Sequence, residues 1–153
     1  MELKKSTKFT LPTAKKEIES KKEDRQESLC MEVAECVAEL MNAATSFHQL
    51  HLKVTGQGSF ASHKALNEIY DAMPGLADDL AESFQGAKGE LLTYSTSSPR
   101  SLSSVKEAIS YLKELKEMVT ELQGKMPYSE IVNDLDVAKS SINGTLYKLM
   151  FLS

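Results

Sequence analysis

From Leu29 onward the apolar positions fall in steps of three and four: Leu29, Val33, Cys36 or Val37, Leu40, Ala44, Phe47, His51, Val54. That rhythm predicts an amphipathic helix over about 26–54, with one stripe turned to a core. Thr55-Gly56-Gln57-Gly58 ends it, because glycine accepts the left-handed backbone of a helix C-cap and turn. Ser59 is placed to cap a second helix carrying Phe60, His63, Leu66, Tyr70, Ala77, Ala81 and Phe84. Pro74-Gly75 should kink this helix without ending it, since the periodicity resumes beyond them. Residues 86–100, with two Gly, one Pro and the run Ser95-Thr96-Ser97-Ser98, read as a connection. Ser104 and Glu107 form a capping box for a third helix through Val105, Ile109, Leu112, Leu115, Val119 and Leu122, stopped by Gly124 and Pro127. A fourth helix carries Ile131, Val132, Leu135, Ala138, Ile142, Leu146, Leu149 and Leu152, its stripe running straight through Asn143-Gly144.

Lengths then constrain topology. Helices of this length span roughly 33–44 Å each at 1.5 Å per residue. The first and third connections are short, so helices one and two, and helices three and four, form antiparallel hairpins. The middle connection, extended, reaches roughly 50 Å and can cross the whole bundle, which makes helices two and three parallel. The expected fold class is all-α, a ferritin-like four-helix bundle with one long crossover between helices two and three. An up-down-up-down bundle with a loose middle loop is the other topology these lengths allow.

Composition agrees with a single helical domain. Of 153 residues 41% are hydrophobic, Gly and Pro number only seven and four, and no apolar run reaches membrane-spanning length. The net charge of −4 divides unevenly: residues 1–25 carry +3 and the remainder −7. The expected organisation is a mildly basic, flexible tail over 1–25 and a bundle over 26–153. An acidic body excludes a wholly basic nucleic-acid face, although the tail suits weak, salt-sensitive contacts to DNA phosphates. Phe9, Leu11 and Pro12 offer it a different role, docking on a neighbouring subunit. Cys30 and Cys36 match neither a zinc knuckle nor a disulfide framework, and the lysine-rich start lacks an apolar leader segment. Reduced thiols and a cytoplasmic location are the expectation.

With no Trp and three His, the chain has few groups for chemistry. His51 and His63 lie on the stripes of the first two helices, close to the turn, so folding the hairpin brings their imidazoles side by side. Imidazole pairs suit iron, zinc or copper, although a single core histidine is more often only a packed residue. His48, one turn before His51, is a candidate added ligand. The matching acids are Asp78 and Glu82, at i and i+4 on one helical face, where a cation would offset their charge. Asp79 points elsewhere and reads as a surface charge. His63 and Asp78 are fifteen residues apart on one helix, roughly 22 Å, and cannot hold one ion within one chain. A shared site therefore needs a second subunit, and a two-fold dimer would build two equivalent copies of it.

The stretch His51-Leu-Lys-Val-Thr-Gly-Gln-Gly-Ser-Phe-Ala-Ser-His63, followed by Tyr70 and Asp78-Asp-Leu-Ala-Glu82, resembles the Dps family, the mini-ferritins, and especially short phage-encoded Dps-like proteins. That family's signature sets two histidines twelve residues apart, an aspartate fifteen further on and a glutamate four beyond it. Leu52 stands where the family commonly has tryptophan, and Asn67 where it often has an aspartate. The resemblance implies a ferroxidase and iron-storage cage. In it His51 and His63 of one chain and Asp78 and Glu82 of its partner bind ferrous iron. Peroxide or oxygen oxidises the iron, and a shell, usually of twelve subunits, stores the product and limits oxidative damage. Because the neutral amide of Asn67 is a weaker ligand than a carboxylate, the alternative expectation is a site that prefers zinc. The competing expectation is a non-enzymatic ferritin-like assembly or DNA-associated protein, with the His/carboxylate set as a structural metal site or dimer contact.

Overall fold

The computed structural model describes residues 13–153, with side chains described from residue 17. Four helices account for most of this length: α1 (Thr13–His51), α2 (Ser59–Lys88), α3 (Val105–Lys125) and α4 (Ser129–Phe151). They form an all-α four-helix bundle, in which α1 packs on α2 and α3, and α4 packs on α2 and α3. The core repeats every three or four positions. Val33, Val37, Leu40, Phe47 and Leu50 of α1 meet Leu66, Ile69, Met73, Leu80 and Phe84 of α2. Leu112, Leu115, Val119 and Leu122 of α3, with Ile131, Leu135, Ile142 and Leu149 of α4, complete it. Burying such side chains contributes about 1.5–3 kcal/mol each, enough to fix which face of each helix turns inward.

Side-chain contacts give the directions. Lys125 at the end of α3 pairs with Glu32 early in the bundle portion of α1, at 2.6 Å, while Tyr111 near the start of α3 packs on Phe47. α1 and α3 are therefore antiparallel. Lys148 near the end of α4 pairs with Glu68 near the start of α2, and Tyr128 stacks edge-on against Phe84, so α2 and α4 are antiparallel too. The connection over 89–104 leaves the end of α2 and runs along α1: Asn42 Nδ2 donates to Ser97 Oγ, the Arg100 amide donates to Ser46 Oγ, and Lys53 Nζ donates to the Leu102 carbonyl at 3.0 Å. It crosses the bundle from end to end, and α2 and α3 run parallel. Arg100 fastens it, pairing with Glu39 of α1 at 2.9 Å and Glu114 of α3 at 2.5 Å, with its guanidinium 3.9 Å over the Tyr111 ring. Burial and the nearby Glu39 carboxylate push the Tyr111 phenol well above its ordinary pKa, so it stays a donor to Glu39.

Several sequence expectations shift. α1 begins at Thr13, not near residue 26, so residues 13–25 are helical where a flexible tail was expected. That stretch is rich in Lys and Glu, which favour helix and pair at i,i+4 without needing a core; residues 17–28 are exposed throughout. The tail's first part, with the DNA contacts or subunit docking expected of it, lies outside the described residues. Gly58, not Ser59, occupies the N-cap of α2, at φ 78°, and makes no side-chain cap bond. A Cβ there would come within 2.7 Å of the Ser153 backbone, so glycine is required twice over. The Ser104 hydroxyl accepts from the Glu107 amide at 3.2 Å, but the Glu107 carboxylate takes the Ser103 amide and hydroxyl instead of closing the box on Ser104. Those bonds to Ser103 hold the Glu107 carboxyl below its ordinary pKa. Leu152 falls just past α4 and is exposed. Phe60 is 76% exposed, because Ser62 holds the position in phase with Leu66 and Ile69, and Phe60 lies about 200° away from it at ~100° per residue.

Candidate functional site

Two glycines with left-handed backbone, Gly56 and Gly58, reverse the chain between α1 and α2. The reversal sets His51, the last residue of α1, beside His63 in the second turn of α2. Their rings stack, with centroids 3.7 Å apart and planes 24° from parallel. Each ring is held by the other residue's backbone: His51 Nδ1 lies 3.0 Å from the His63 carbonyl oxygen, and His63 Nδ1 lies 3.2 Å from that of His51. A carbonyl only accepts, so each Nδ1 donates in this arrangement, and in the neutral ring the lone pair then sits on Nε2. The His51 carbonyl is one of the unpaired acceptors at the end of α1, so the same bond completes the helix terminus. His51 is buried at 7% exposure, while His63 reaches solvent.

Tyr70 widens the cluster. Its ring lies flat on His48 at 4.0 Å and edge-on to His51 at 5.1 Å. Its hydroxyl donates to Asn67 Oδ1 at 3.1 Å, and Asn67 Nδ2 donates to Asp71 at 2.7 Å. His48 thus spends its ring face on Tyr70, and its centroid stands 5.9 Å from that of His51. The Asn67–Tyr70–Asp71 chain had no forecast in the sequence, although its i,i+3 and i,i+4 spacing was there to be read.

Asp78 and Glu82 lie on the far half of the same unbroken helix and are both exposed, as is Asp79. Burial, and then the negative charge of Asp78, raise the pKa of Tyr94 in the crossover. The structure brings His51 and His63 together and leaves Asp78 and Glu82 apart from them. Among the described residues no three His, Cys, Asp or Glu side chains gather to hold a metal ion. Within one chain the two imidazoles and the two carboxylates therefore lie apart, and among the described residues they form no coordination set. Between them runs a stripe along α2 of His63, Asn67, Asp71, Pro74, Asp78 and Glu82, exposed at every position but the half-buried Asn67. Leu52 and Phe60, 72% and 76% exposed, flank the imidazoles.

The cysteines differ from each other. Cys36 is fully buried in the core, and burial with the nearby Glu39 charge pushes its thiol up to about 12. Cys30 is half-buried and touches Lys88 at the opposite end of the α1–α2 hairpin. No helix of the described residues is long and apolar enough to cross a membrane.

Residues 51–149 match the family described as a family of unknown function, DUF5856. The match begins at His51 and takes in α2, the crossover, α3 and nearly all of α4. No curated protein and no solved structure matches the chain.

Proposed function

The chain belongs to DUF5856, a family of unknown function, and we propose that it is a Dps-like ferroxidase and iron-storage protein whose site is shared between two subunits. The observation that carries this reading is the histidine pair. Two stacked imidazoles, each tied through Nδ1 to a backbone carbonyl, leave two Nε2 lone pairs as ready ligands. The exposed α2 stripe supplies the other half. If two copies of α2 pack antiparallel about a two-fold axis near Asp71–Ala72, His63 of one meets Asp78 and Glu82 of the other, twice over. Exposed Leu52 and Phe60 beside the imidazoles give that contact an apolar margin. Neighbouring helices that are antiparallel, parallel α2 and α3, and a crossover lying along α1 support the ferritin-like reading of the bundle.

Ferrous iron is the substrate, bound by His51 and His63 of one subunit and by Asp78 and Glu82 of the partner subunit. The carboxylates stabilise the ferric product more than the ferrous reactant, since their charge counts more against the higher ion charge. With peroxide as oxidant, two ferrous ions each give one electron. The O–O bond breaks, and two protons complete two waters. A shell of such dimers, twelve subunits in the family it resembles, would hold the product.

Mixed dimers test the shared site. A chain carrying His51→Ala and His63→Ala, and a chain carrying Asp78→Ala and Glu82→Ala, should each consume ferrous iron no faster than buffer. Mixing them under exchange conditions should restore activity, because each mixed dimer contains one intact site. A wild type no faster than buffer overturns the ferroxidase, and failure of subunit-exchanged mixtures to recover overturns the sharing.

A second reading has its own observation. The reciprocal Nδ1–carbonyl bonds are complete without any ion and staple the hairpin by themselves. In that reading the pair serves assembly, as a dimer contact or a zinc site, and histidine replacement changes oligomeric state with no oxidation to lose.

A further inference from the structure

At the end of the bundle opposite the histidines, Cys30 of α1 and Lys88 of α2 meet, with Lys88 Nζ only 2.8 Å from Cys30 Sγ. Sulfur is larger than oxygen, so a nitrogen–sulfur hydrogen bond is ordinarily longer than this. A direct nitrogen–sulfur bond would be much shorter. A separation of this size suits two atoms joined through one bridging oxygen. The contact sits at the edge of an open cavity of about 380 Å³, lined by Glu27, Met31, Glu90 and Leu92 among others, which gives a small oxidant access to the sulfur. Glu90 holds Lys88 from the other side at 2.9 Å, and the lysine side chain is only 16% exposed, so Nζ has little room to leave the sulfur. Cys36 is fully buried in the core and makes no hydrogen bond to a lysine among the described residues.

We propose that Cys30 and Lys88 are a peroxide-dependent cross-linking site that closes to a covalent Sγ–O–Nζ bridge. Hydrogen peroxide is the oxidant, and the inference stands whether or not the chain oxidises iron. The Cys30 sulfur attacks a first peroxide: an S–O bond forms, the O–O bond breaks, and a sulfenic acid and water result. A second peroxide replaces the sulfenic hydroxyl, releasing water and leaving an S–O–O–H group. Nζ, having given its extra proton to solvent, attacks the oxygen bonded to sulfur. The N–O bond forms as the O–O bond breaks, and the departing hydroxide takes a proton from nitrogen as a third water. Thiol, amine and two peroxides thus become the bridge and three waters. Proximity makes the last step intramolecular, where effective concentrations are high. The bridge would join residues 58 positions apart and tie the open end of the α1–α2 hairpin.

The test uses the full chain treated with hydrogen peroxide, digested with trypsin and read by mass spectrometry. The expected species joins the Cys30 peptide to the Lys88 peptide, with one oxygen gained and two hydrogens lost. It should be reversed by a thiol reductant, kept in Cys36→Ser, and lost in both Cys30→Ser and Lys88→Arg. The cross-linked chain should also melt at a higher temperature than the reduced one. Oxidised Cys30 with no link to Lys88 in the folded wild type, or a cross-link that survives Lys88→Arg, overturns the proposal.

Discussion

The two ends of the α1–α2 hairpin hold their reactive groups in different ways. At the turn, His51 and His63 are positioned by each other's backbone carbonyls, and those carbonyls belong to helices already fixed by the core. At the open end, Cys30 and Lys88 meet side chain to side chain, with Glu90 as the only other polar hold on the lysine among the described residues. Backbone acceptors cost no side-chain entropy to position, whereas each long side chain loses rotamer freedom when it is held. The histidine end is thus suited to presenting ligands in one geometry. The thiol end is suited to a contact that chemistry can lock or release.

The largest expected difference between the ends is in chemistry. His51→Ala with His63→Ala should reduce ferrous oxidation to the buffer rate, whereas Cys30→Ser with Lys88→Arg should leave it within about two-fold. Equal losses in both pairs, read by ferrous consumption, would erase the distinction. Next comes the crossover that spans the two ends. Arg100→Ala removes two ion pairs and the stack on Tyr111, leaving the mostly buried Glu39 with one donor fewer, and should cost about 2–3 kcal/mol in urea unfolding. Within the histidine pair, His51→Ala should cost about 2 kcal/mol and His63→Ala about 1 kcal/mol, because only His51 also loses buried packing. Equal costs would mean that the shared stack, not burial, sets the energy.

The smallest effect is at the open end and depends on pH. Hydrogen bonds to Cys30 and then to Glu90 raise the Lys88 pKa above its ordinary value. A raised lysine contributes stability that is fully present below its unfolded value, about 10.4, and is lost as pH climbs through the folded value. The melting temperature of the wild type should therefore exceed that of Lys88→Met by a constant small margin up to about pH 10, and the margin should close above it. A margin that already closes near neutrality would show that the contact does not depend on the lysine charge.

Much of this arrangement was legible in the residues. The helices at 59–88, 105–125 and 129–151 follow the apolar steps, and Gly56 and Gly58 mark the reversal that juxtaposes His51 and His63. Helical rise alone separates His63 from Asp78, because both lie on one unbroken helix. Other features were not legible. The charged start of α1 has no apolar stripe, yet it is helical, because local propensity does not need a core. Phe60 reads as a stripe residue, but the phase set by Leu66 and Ile69 turns it outward. Arg100 sits in a Ser/Thr-rich connection with nothing beside it in sequence to mark it as the fastening of the crossover.

The sequence by itself determined the helical class, the breaks between elements and the impossibility of one chain joining its histidines to Asp78 and Glu82. These are consequences of local periodicity and fixed rise per residue. The tertiary structure alone decided three further things: the tautomer of each histidine, the path of the crossover along α1, and the meeting of Cys30 with Lys88. Each depends on atoms brought together from distant parts of the chain. No repeat of three or four residues encodes such distances; they are set by how four packed stripes turn one another in the core.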